Sequence, residues 1–389
     1  MIDFRLGEKS DAFRAQAREF LAGALEPDLV ERIYRSGVSH DDTFVSKLRD
    51  RGWLAPGWPV EWGGQGRDPL EILALAEEFG RAGAPHTGTG VTMAVAKVIQ
   101  VRGTEDQKRA ILPRALNADI LMALGFSEPE SGSDVAAART RAERDGDQWI
   151  INGQKMFTTN AHIADYVFLL TRTNPDVPKH KGLTTFLVAL DQPGVDIQGV
   201  FTLSGERTNI VYFTDVRVSD AWRVGEVDGG WEVMTVALQD EHGAAFAGES
   251  ARLVDAAEEW ATSVADDDGR LPIEDPSVRE RLARAATELE VARLLQRRAA
   301  WMSEVGITPE AEAPMSKLFS SERLVRQAED LTEMVGPDAL RSYFAPSAPV
   351  GGAIEHALRF SLGTTIYAGT SEIQRGIIAQ RGLGLPRSR

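Results

Sequence analysis

The sequence predicts an α+β chain in three parts: helices, a β-rich middle and helices again. Three observations carry this. Apolar residues recur at helical spacing with charges between them through residues 1–120. From Trp149 onward, short runs rich in β-branched and aromatic residues are separated by Gly, Pro, Asn and Asp. After Gly229-Gly230-Trp231 the helical spacing returns and continues towards the C-terminus. The expected divisions are residues 1–120, 121–228 and 229–389.

Taken in order, Phe13, Ala17, Phe20, Leu21 and Leu25 form the first apolar stripe, with Ser10 as its expected cap. A second helix carries Phe44, Val45 and Leu48 and stops near Gly52. The stretch GWLAPGWPVEWGGQG, residues 52–66, is too rich in Gly, Pro and Trp for a helix interior and reads as an ordered loop. Pro69 opens a helix to about Phe79, and another runs from Val91 to Val101. Gly103 to Gln107 caps a short helix that should end before Pro113. The β-rich runs are WIINGQKMF, DYVFLLTRT, TTFLVAL, VDIQGV and IVYFTDVRV. In the last, Ile210, Tyr212 and Thr214 alternate with Val211, Phe213 and Asp215. This pattern suggests a small antiparallel barrel or a sandwich. One long amphipathic stretch runs from Trp231 to about Val264, followed by an acidic loop, Asp266–Pro276. Helices follow at Val278–Val305 and Pro314–Val335, then a break at Gly336-Pro337-Asp338. The last helix opens in Ile366–Arg375, IYAGTSEIQR, with Thr370 as its N-cap.

Composition narrows the function. With 43 basic and 58 acidic residues the net charge is −15, which argues against a nucleic-acid partner. The absence of cysteine excludes disulfides, thiolate metal sites and cysteine nucleophiles. The six histidines are scattered without metal-ligand spacing, so no metal is expected. The N-terminus MIDFRLGEKSDAF has no apolar signal core, and no run approaches the roughly 20 apolar residues of a membrane helix. A cytoplasmic protein with no membrane partner is the expectation.

Two stretches are candidates for chemistry. Leu124–Asp134, LGFSEPESGSD, is a turn-rich loop where helix gives way to strand. It reads either as an interdomain turn or as a loop offering hydroxyls and backbone N–H groups to a polar ligand. In NGQKMFTTN, residues 152–160, Asn152-Gly153 signals a hairpin turn. Phe157 then stands before the hydroxyls of Thr158 and Thr159, either to stack on a planar cofactor or to pack as a cross-strand core aromatic.

The ordered set GWLAPGWPVEWGGQG, GTEDQKRAILPRAL, SEPESGSDVA, INGQKMFTTN, KHKGLTTFLVAL, YFTDVRV, VGEVDGGW and IYAGTSEIQR resembles the acyl-CoA dehydrogenase family over nearly the whole chain. The C-terminal GIIAQRGLGLPR is most similar to actinobacterial members, many of which act on sterol side chains or branched acyl groups. The resemblance implies an N-terminal helical domain, a middle antiparallel β-barrel domain and a C-terminal four-helix bundle. It implies FAD as cofactor, an acyl-CoA substrate and an electron-transfer flavoprotein as acceptor. It also implies that Leu124, Phe126, Ser127, Gly132, Ser133, Phe157, Thr158 and Thr159 contact the flavin, Ser133 also reaching the thioester region. Phe157 stands where the family more often has Trp. Gly336, Thr370 and Glu372 fall at cofactor positions, and His242, Tyr367 and Gly369 at substrate positions.

The family's reaction removes the hydrogen α to the thioester as a proton and the β hydrogen as a hydride to flavin N5. The first step needs a carboxylate base and donors on the thioester oxygen. In much of the family the base directly follows the Tyr of the last motif, but here that residue is Ala368. A second subset places its base on the first long C-terminal helix, where Leu238–His242 aligns and Glu241 matches, with His242 where Arg is usual. The resemblance therefore implies Glu241 as base, with the Ala368 backbone N–H as donor. A second departure is Ala265–Gly269, ADDDG, where many homotetramers carry an Arg-x-x-Phe-Gly segment reaching a neighbour's FAD pyrophosphate. Three carboxylates there would repel it. The expected assembly is thus a homo-tetramer or an α2β2 hetero-tetramer with a second dehydrogenase-like subunit. A half-site or non-catalytic partner subunit, or a flavin monooxygenase or oxidase on the same fold, are the alternatives.

Overall fold

The computed structural model describes residues 6–241, 245–265 and 268–386, the side chains of residues 238–241 excepted. Its first part holds α1 (Glu8–Ala24), α2 (Pro27–Ser36), α3 (Asp42–Asp50), α4 (Pro69–Ala82), α5 (Thr87–Arg102) and α6 (Glu105–Leu116). The expected stripe of α1 is buried, but Ser10 lies inside the helix and Gly7 is the N-cap. α2 is a helix the sequence reading does not expect, and it buries only Leu29. α4 starts at Pro69 behind a capping box of Asp68 and Glu71. α6 starts behind the Thr104–Gln107 box and runs through Pro113, against expectation. A proline loses one helical hydrogen bond, and near a helix end that loss is small.

The middle part is one eight-stranded sheet: β1 (Met122–Gly125), β2 (Arg141–Asp145), β3 (Gln148–Lys155), β4 (Tyr166–Arg172), β5 (Leu183–Ala189), β6 (Val195–Phe201), β7 (Arg207–Ser219) and β8 (Arg223–Val224). The strand order is β6-β7-β3-β2-β4-β5-β8, with β1 added to β4. Most pairs are antiparallel, while β1 and β2 join β4 in parallel. Asn152-Gly153 is not the expected hairpin turn. It lies within β3 as a bulge, and the Asn152 side chain pairs with Asp215 of β7. The β2–β3 turn falls at Gly146-Asp147 instead, between paired Asp145 and Gln148.

Strands β4 and β5 are buried on both faces, which explains their unbroken apolar runs. Val167 and Leu169 face one core with Trp149, Phe186 and Phe213. Phe168 and Leu170 face another with Ile99 of α5, Ile111 of α6 and Met234 of α7 (Gly230–Glu241). The helices flanking the sheet in sequence thus share its core.

The last part holds α8 (Ala247–Ser263), α9 (Pro276–Glu304), α10 (Glu312–Val335), α11 (Ala353–Thr364) and α12 (Ser371–Ile377). The expected single stretch Trp231–Val264 is two helices, α7 and α8, with Ala245 and Phe246 between them non-helical. α8 to α11 bury one common core around Val254, Leu289, Leu324 and Ile354, as the bundle expectation requires. α11 is likewise not expected from the sequence, and only Ile354, Ser361 and Thr364 of it are buried.

Candidate functional site

Three groups of candidate residues emerge. The first is the end of β1 and the loop beyond it. Leu124 pairs with Phe168 of β4, and Phe126 packs edge-on against the same ring at 5.8 Å. Gly132 and Ser133 are exposed, with open space where a Cβ on Gly132 would stand. This loop is held by a buried ion pair that carried no role in the sequence reading. Lys155 Nζ on β3 donates to Glu128 Oε1 at 2.7 Å and to the Phe126 carbonyl at 3.2 Å. The Glu128 carboxylate also accepts from the Arg139 and Thr140 N–H groups at 2.6 and 2.9 Å. Burial pushes the Glu128 carboxyl up, but Lys155 and the two backbone donors outweigh it and hold it below the usual range. Burial brings the Lys155 ammonium down to about 8, against the pull of Glu128.

The second group is the end of β3. Met156 N donates to the Ser127 carbonyl at 2.9 Å, so the first two groups are directly joined. Phe157 follows with φ of 58° and 57% exposure. A bulky aromatic residue in the left-handed region and facing solvent has neither a conformational nor a burial reason to be there. Thr158 is buried, its Oγ1 without a partner, and Asn209 brackets its backbone from β7. Thr159 is half-buried beside it.

The third group is the turn between α11 and α12. Tyr367 lies edge-on to Phe246 at 5.9 Å and remains 43% exposed. Desolvation, with the Glu206 and Glu249 carboxylates nearby, pushes its hydroxyl well above the ordinary tyrosine value. Ala368 has φ of 54° and Gly369 φ of 82°. Lys317 Nζ of α10 donates to the Gly369 carbonyl at 2.7 Å, and Gln374 Nε2 of α12 to the Ala368 carbonyl at 2.8 Å. Thr370 is the N-cap of α12, its hydroxyl accepting from Ile373 N at 3.3 Å. Glu372 is exposed, and its own N–H and the Thr370 hydroxyl hold its carboxyl low.

Gly336 stands apart. It ends α10, the helix on which Lys317 touches Gly369, about 28 Å along the axis from Lys317. Glu241 ends α7, but its side chain lies outside the described residues, as do His242, Asp266 and Asp267. Glu241 precedes Phe246, the ring against Tyr367, by five residues, a reach of at most about 18 Å.

An exposed aromatic ring, an unpartnered buried hydroxyl and an open glycine at the mouth of a rigid loop suit a planar aromatic group with polar edges. FAD fits that description, and the residues that would hold it are Phe126, Ser127, Gly132, Ser133, Phe157, Thr158 and Thr159. Two surface clefts, of about 490 and 670 Å³, lie elsewhere, beside Arg114 and beside Arg279, and contain none of these residues. Among the described residues no helix is long and apolar enough to cross a membrane, and no cluster of side chains suits a metal.

Lys155, Lys317 and Gln374 carried no role in the sequence reading. One signal pointed to Lys317. It shares the buried stripe of α10 with Ser320, Leu324, Gln327, Ala328 and Leu331 at helical spacing.

Models of the acyl-CoA dehydrogenase N-terminal, middle and C-terminal domains match residues 7–119, 123–217 and 228–383. The acyl-CoA dehydrogenase FadE26 of Mycobacterium tuberculosis is 35% identical, over 98% of each chain. The Tcur3481-Tcur3483 steroid ACAD superposes with a TM-score of 0.92 at 36% identity, over 100% of both chains. The ChsE4-ChsE5 complex of Mycobacterium tuberculosis gives 0.90 at 34% identity, again over 100% of both. With the domain order, the sheet and both sequence and structure matched end to end, the chain belongs to the acyl-CoA dehydrogenase family of FAD-dependent oxidoreductases.

Proposed function

We propose that this chain desaturates an acyl-CoA thioester between its α and β carbons, with Glu241 as the base and the Ala368 N–H as a donor to the thioester oxygen. The observation that carries this is the turn at Ala368. The residue after Tyr367 cannot accept a proton, yet its backbone is held in a left-handed conformation beside the partly exposed Tyr367. A donor role needs only that N–H, which leaves proton abstraction to another residue, and Glu241 is the family's aligned carboxylate. FAD, when bound, would supply the hydride acceptor for the β hydrogen, with an electron-transfer flavoprotein as the electron acceptor beyond it. The chain's own groups position it: Phe157 offers a ring face, and Thr158, Thr159 and the Ser127–Ser133 loop offer hydroxyls and N–H groups to its edge. Leu124 backs that loop, Tyr367 and Gly369 border the thioester, the family resemblance assigns His242 to the substrate as well, and Thr370 and Glu372 face the cofactor's far end.

The acyl group is inferred from relatives. The steroid ACAD points to a steroid thioester, and the likeness of GIIAQRGLGLPR to actinobacterial members to a sterol-side-chain or branched acyl group. Replacing Glu241 with Gln keeps size and hydrogen bonding but removes the base. Bleaching of the bound flavin by an acyl-CoA should then fall at least about 1000-fold, as loss of an essential base predicts. Bleaching at the wild-type rate would reject Glu241.

A second reading concerns assembly. Residues 265–269 carry no Arg or Phe, and two of the matched structures are complexes of paired chains. This chain is then the flavin-and-base half of an α2β2 hetero-tetramer, with Gly336 at a subunit boundary rather than in its own site. The absorption spectrum of the purified chain tests this: FAD bound only after a second subunit is added supports the pairing, and one FAD per chain in a homo-tetramer rejects it. Slow reoxidation of substrate-reduced enzyme in air separates the dehydrogenase from an oxidase on the same fold.

A further inference from the structure

We infer that Lys317 and Gln374 are positioning residues that clamp the Ala368-Gly369 turn and thereby aim its N–H groups at the thioester oxygen. The inference rests on the function proposed above and adds to it two side chains outside its candidate residues.

The chain leaves α11 at Thr364, reverses at Ala368-Gly369 and enters α12 behind Thr370. The reversal uses two successive residues of positive φ, and one of them is alanine. Alanine in the left-handed region costs about 1 kcal/mol, so the turn does not hold itself. Two side-chain donors hold it. Gln374, fully buried, takes the Ala368 carbonyl, and Lys317, fully buried, takes the Gly369 carbonyl. A Cβ on Gly369 would meet the same Gln374 amide at 2.7 Å and displace it, and the φ of 82° would strain any side chain there. The N–H groups of Ala368, Gly369 and Thr370 make no hydrogen bond among the described residues.

Peptide planarity turns these facts into an orientation. In a trans peptide the N–H points opposite to the C=O of the same plane. Fixing the Ala368 carbonyl inward on Gln374 points the Gly369 N–H outward. Fixing the Gly369 carbonyl on Lys317 points the Thr370 N–H outward. Both planes meet at the Gly369 Cα, so the two contacts set the Gly369 dihedrals and hold the carbonyl side of Ala368, whose own N–H lies on the preceding peptide. Each donor also polarises the peptide it binds, which strengthens that peptide's N–H as a donor.

Energetics favour this over a packing role. A fully buried ammonium is expensive, and burial lowers Lys317 to about 8 against the opposing pull of Glu322 and Glu372. Gln374 likewise keeps its Oε1 buried without a partner. A methionine and a leucine would fill these volumes without that penalty. The polar pair is retained where two carbonyls need donors, beside the N–H groups that face developing enolate charge.

The test uses the FAD-loaded enzyme and acetoacetyl-CoA, a thioester small enough to be independent of the acyl pocket. Its enolate, bound against oxidised flavin, gives a long-wavelength absorption band, and donors on the thioester oxygen lower the pH at which that band appears. In wild type the midpoint should fall below that of free acetoacetyl-CoA. In Lys317→Met and Gln374→Leu it should rise by about one pH unit, a tenfold loss of enolate stabilisation. With the enzyme's own acyl-CoA, kcat should fall about 10–100-fold and KM change little, because the donor acts as charge develops. If wild type binds acetoacetyl-CoA without lowering the midpoint, the thioester-site reading itself fails. If wild type lowers it and both variants lower it equally, the clamp fails while that reading stands. If one variant does not fold, the other carries the test. Loss of FAD from both folded variants would instead assign the pair to cofactor retention and overturn the proposal.

Discussion

At the scale of single residues, the candidate site is marked by groups in environments they would not choose. Phe157 is exposed and left-handed, Ala368 is left-handed, and Lys155 and Lys317 are fully buried. Glu249 is another. It lies in the first turn of α8 with its carboxylate over the backbone of Gly80. Burial raises it to about 7, opposed in part by its own N–H and by Arg252. The folded carboxyl thus binds its proton more tightly than the unfolded one. Wild-type stability should fall as pH rises from about 4.5 to 7 and stay lower above that. Glu249→Gln should then be more stable than wild type at pH 8, by at most about 3 kcal/mol, and indistinguishable from it near pH 4. Urea unfolding at the two pH values checks this, and a constant difference would reject the shift. None of these environments was readable beforehand, except that Lys317 falls on the buried stripe of its helix.

At the scale of elements, the β1 and β3 ends form one unit because an ion pair and the Met156 N–H to Ser127 carbonyl bond tie loop to strand. Glu128 binds Lys155 and two backbone N–H groups, while Lys155 reaches back to Phe126. Glu128→Gln leaves Lys155 buried without its counter-charge, and breaking one partner of such a pair costs about 3–5 kcal/mol. The double variant Glu128→Gln/Lys155→Met should recover much of that stability without restoring the loop's hold on Phe126 and Ser127. Chemical denaturation and flavin content together report this. Stability recovered with flavin affinity still weakened is the expected result, and full recovery of both would reject a role in presenting the loop. The helix starts at Pro69, Thr104 and Thr370 were legible because a cap is a local arrangement of a few residues. The bulge at Asn152-Gly153 was not. Its local signal is a turn, but β3 pairs with β2 on one side and β7 on the other, and two ladders outweigh one dipeptide's preference.

At the scale of the whole molecule, the three parts are joined at close crossings rather than through linkers. α8 packs on α4 where Gly248 meets Gly80: a Cβ on Gly248 would stand 2.7 Å from the Glu77 carbonyl and 2.9 Å from the Gly80 Cα. Arg81 and Asp255 pair across the same crossing. Gly248→Ala should force the helices apart at a cost of about 1–3 kcal/mol, and Gly248→Val more. Thermal unfolding would show it, and an unchanged midpoint for Gly248→Ala would mean the crossing is looser than its geometry. What the sequence determined by itself was the order of the parts, most helices and strands, the family, and the loss of a carboxylate at Ala368. These rest on local periodicity, caps and motifs, which a linear chain carries intact. Tertiary structure alone decided that the flanking helices share the sheet's core, that Phe157 and Ala368 adopt left-handed conformations, and that Lys155, Lys317 and Gln374 serve backbone carbonyls at the site. Each of these depends on which distant segment supplies the missing partner: a buried donor is paired by geometry across the fold, and residue order does not record it.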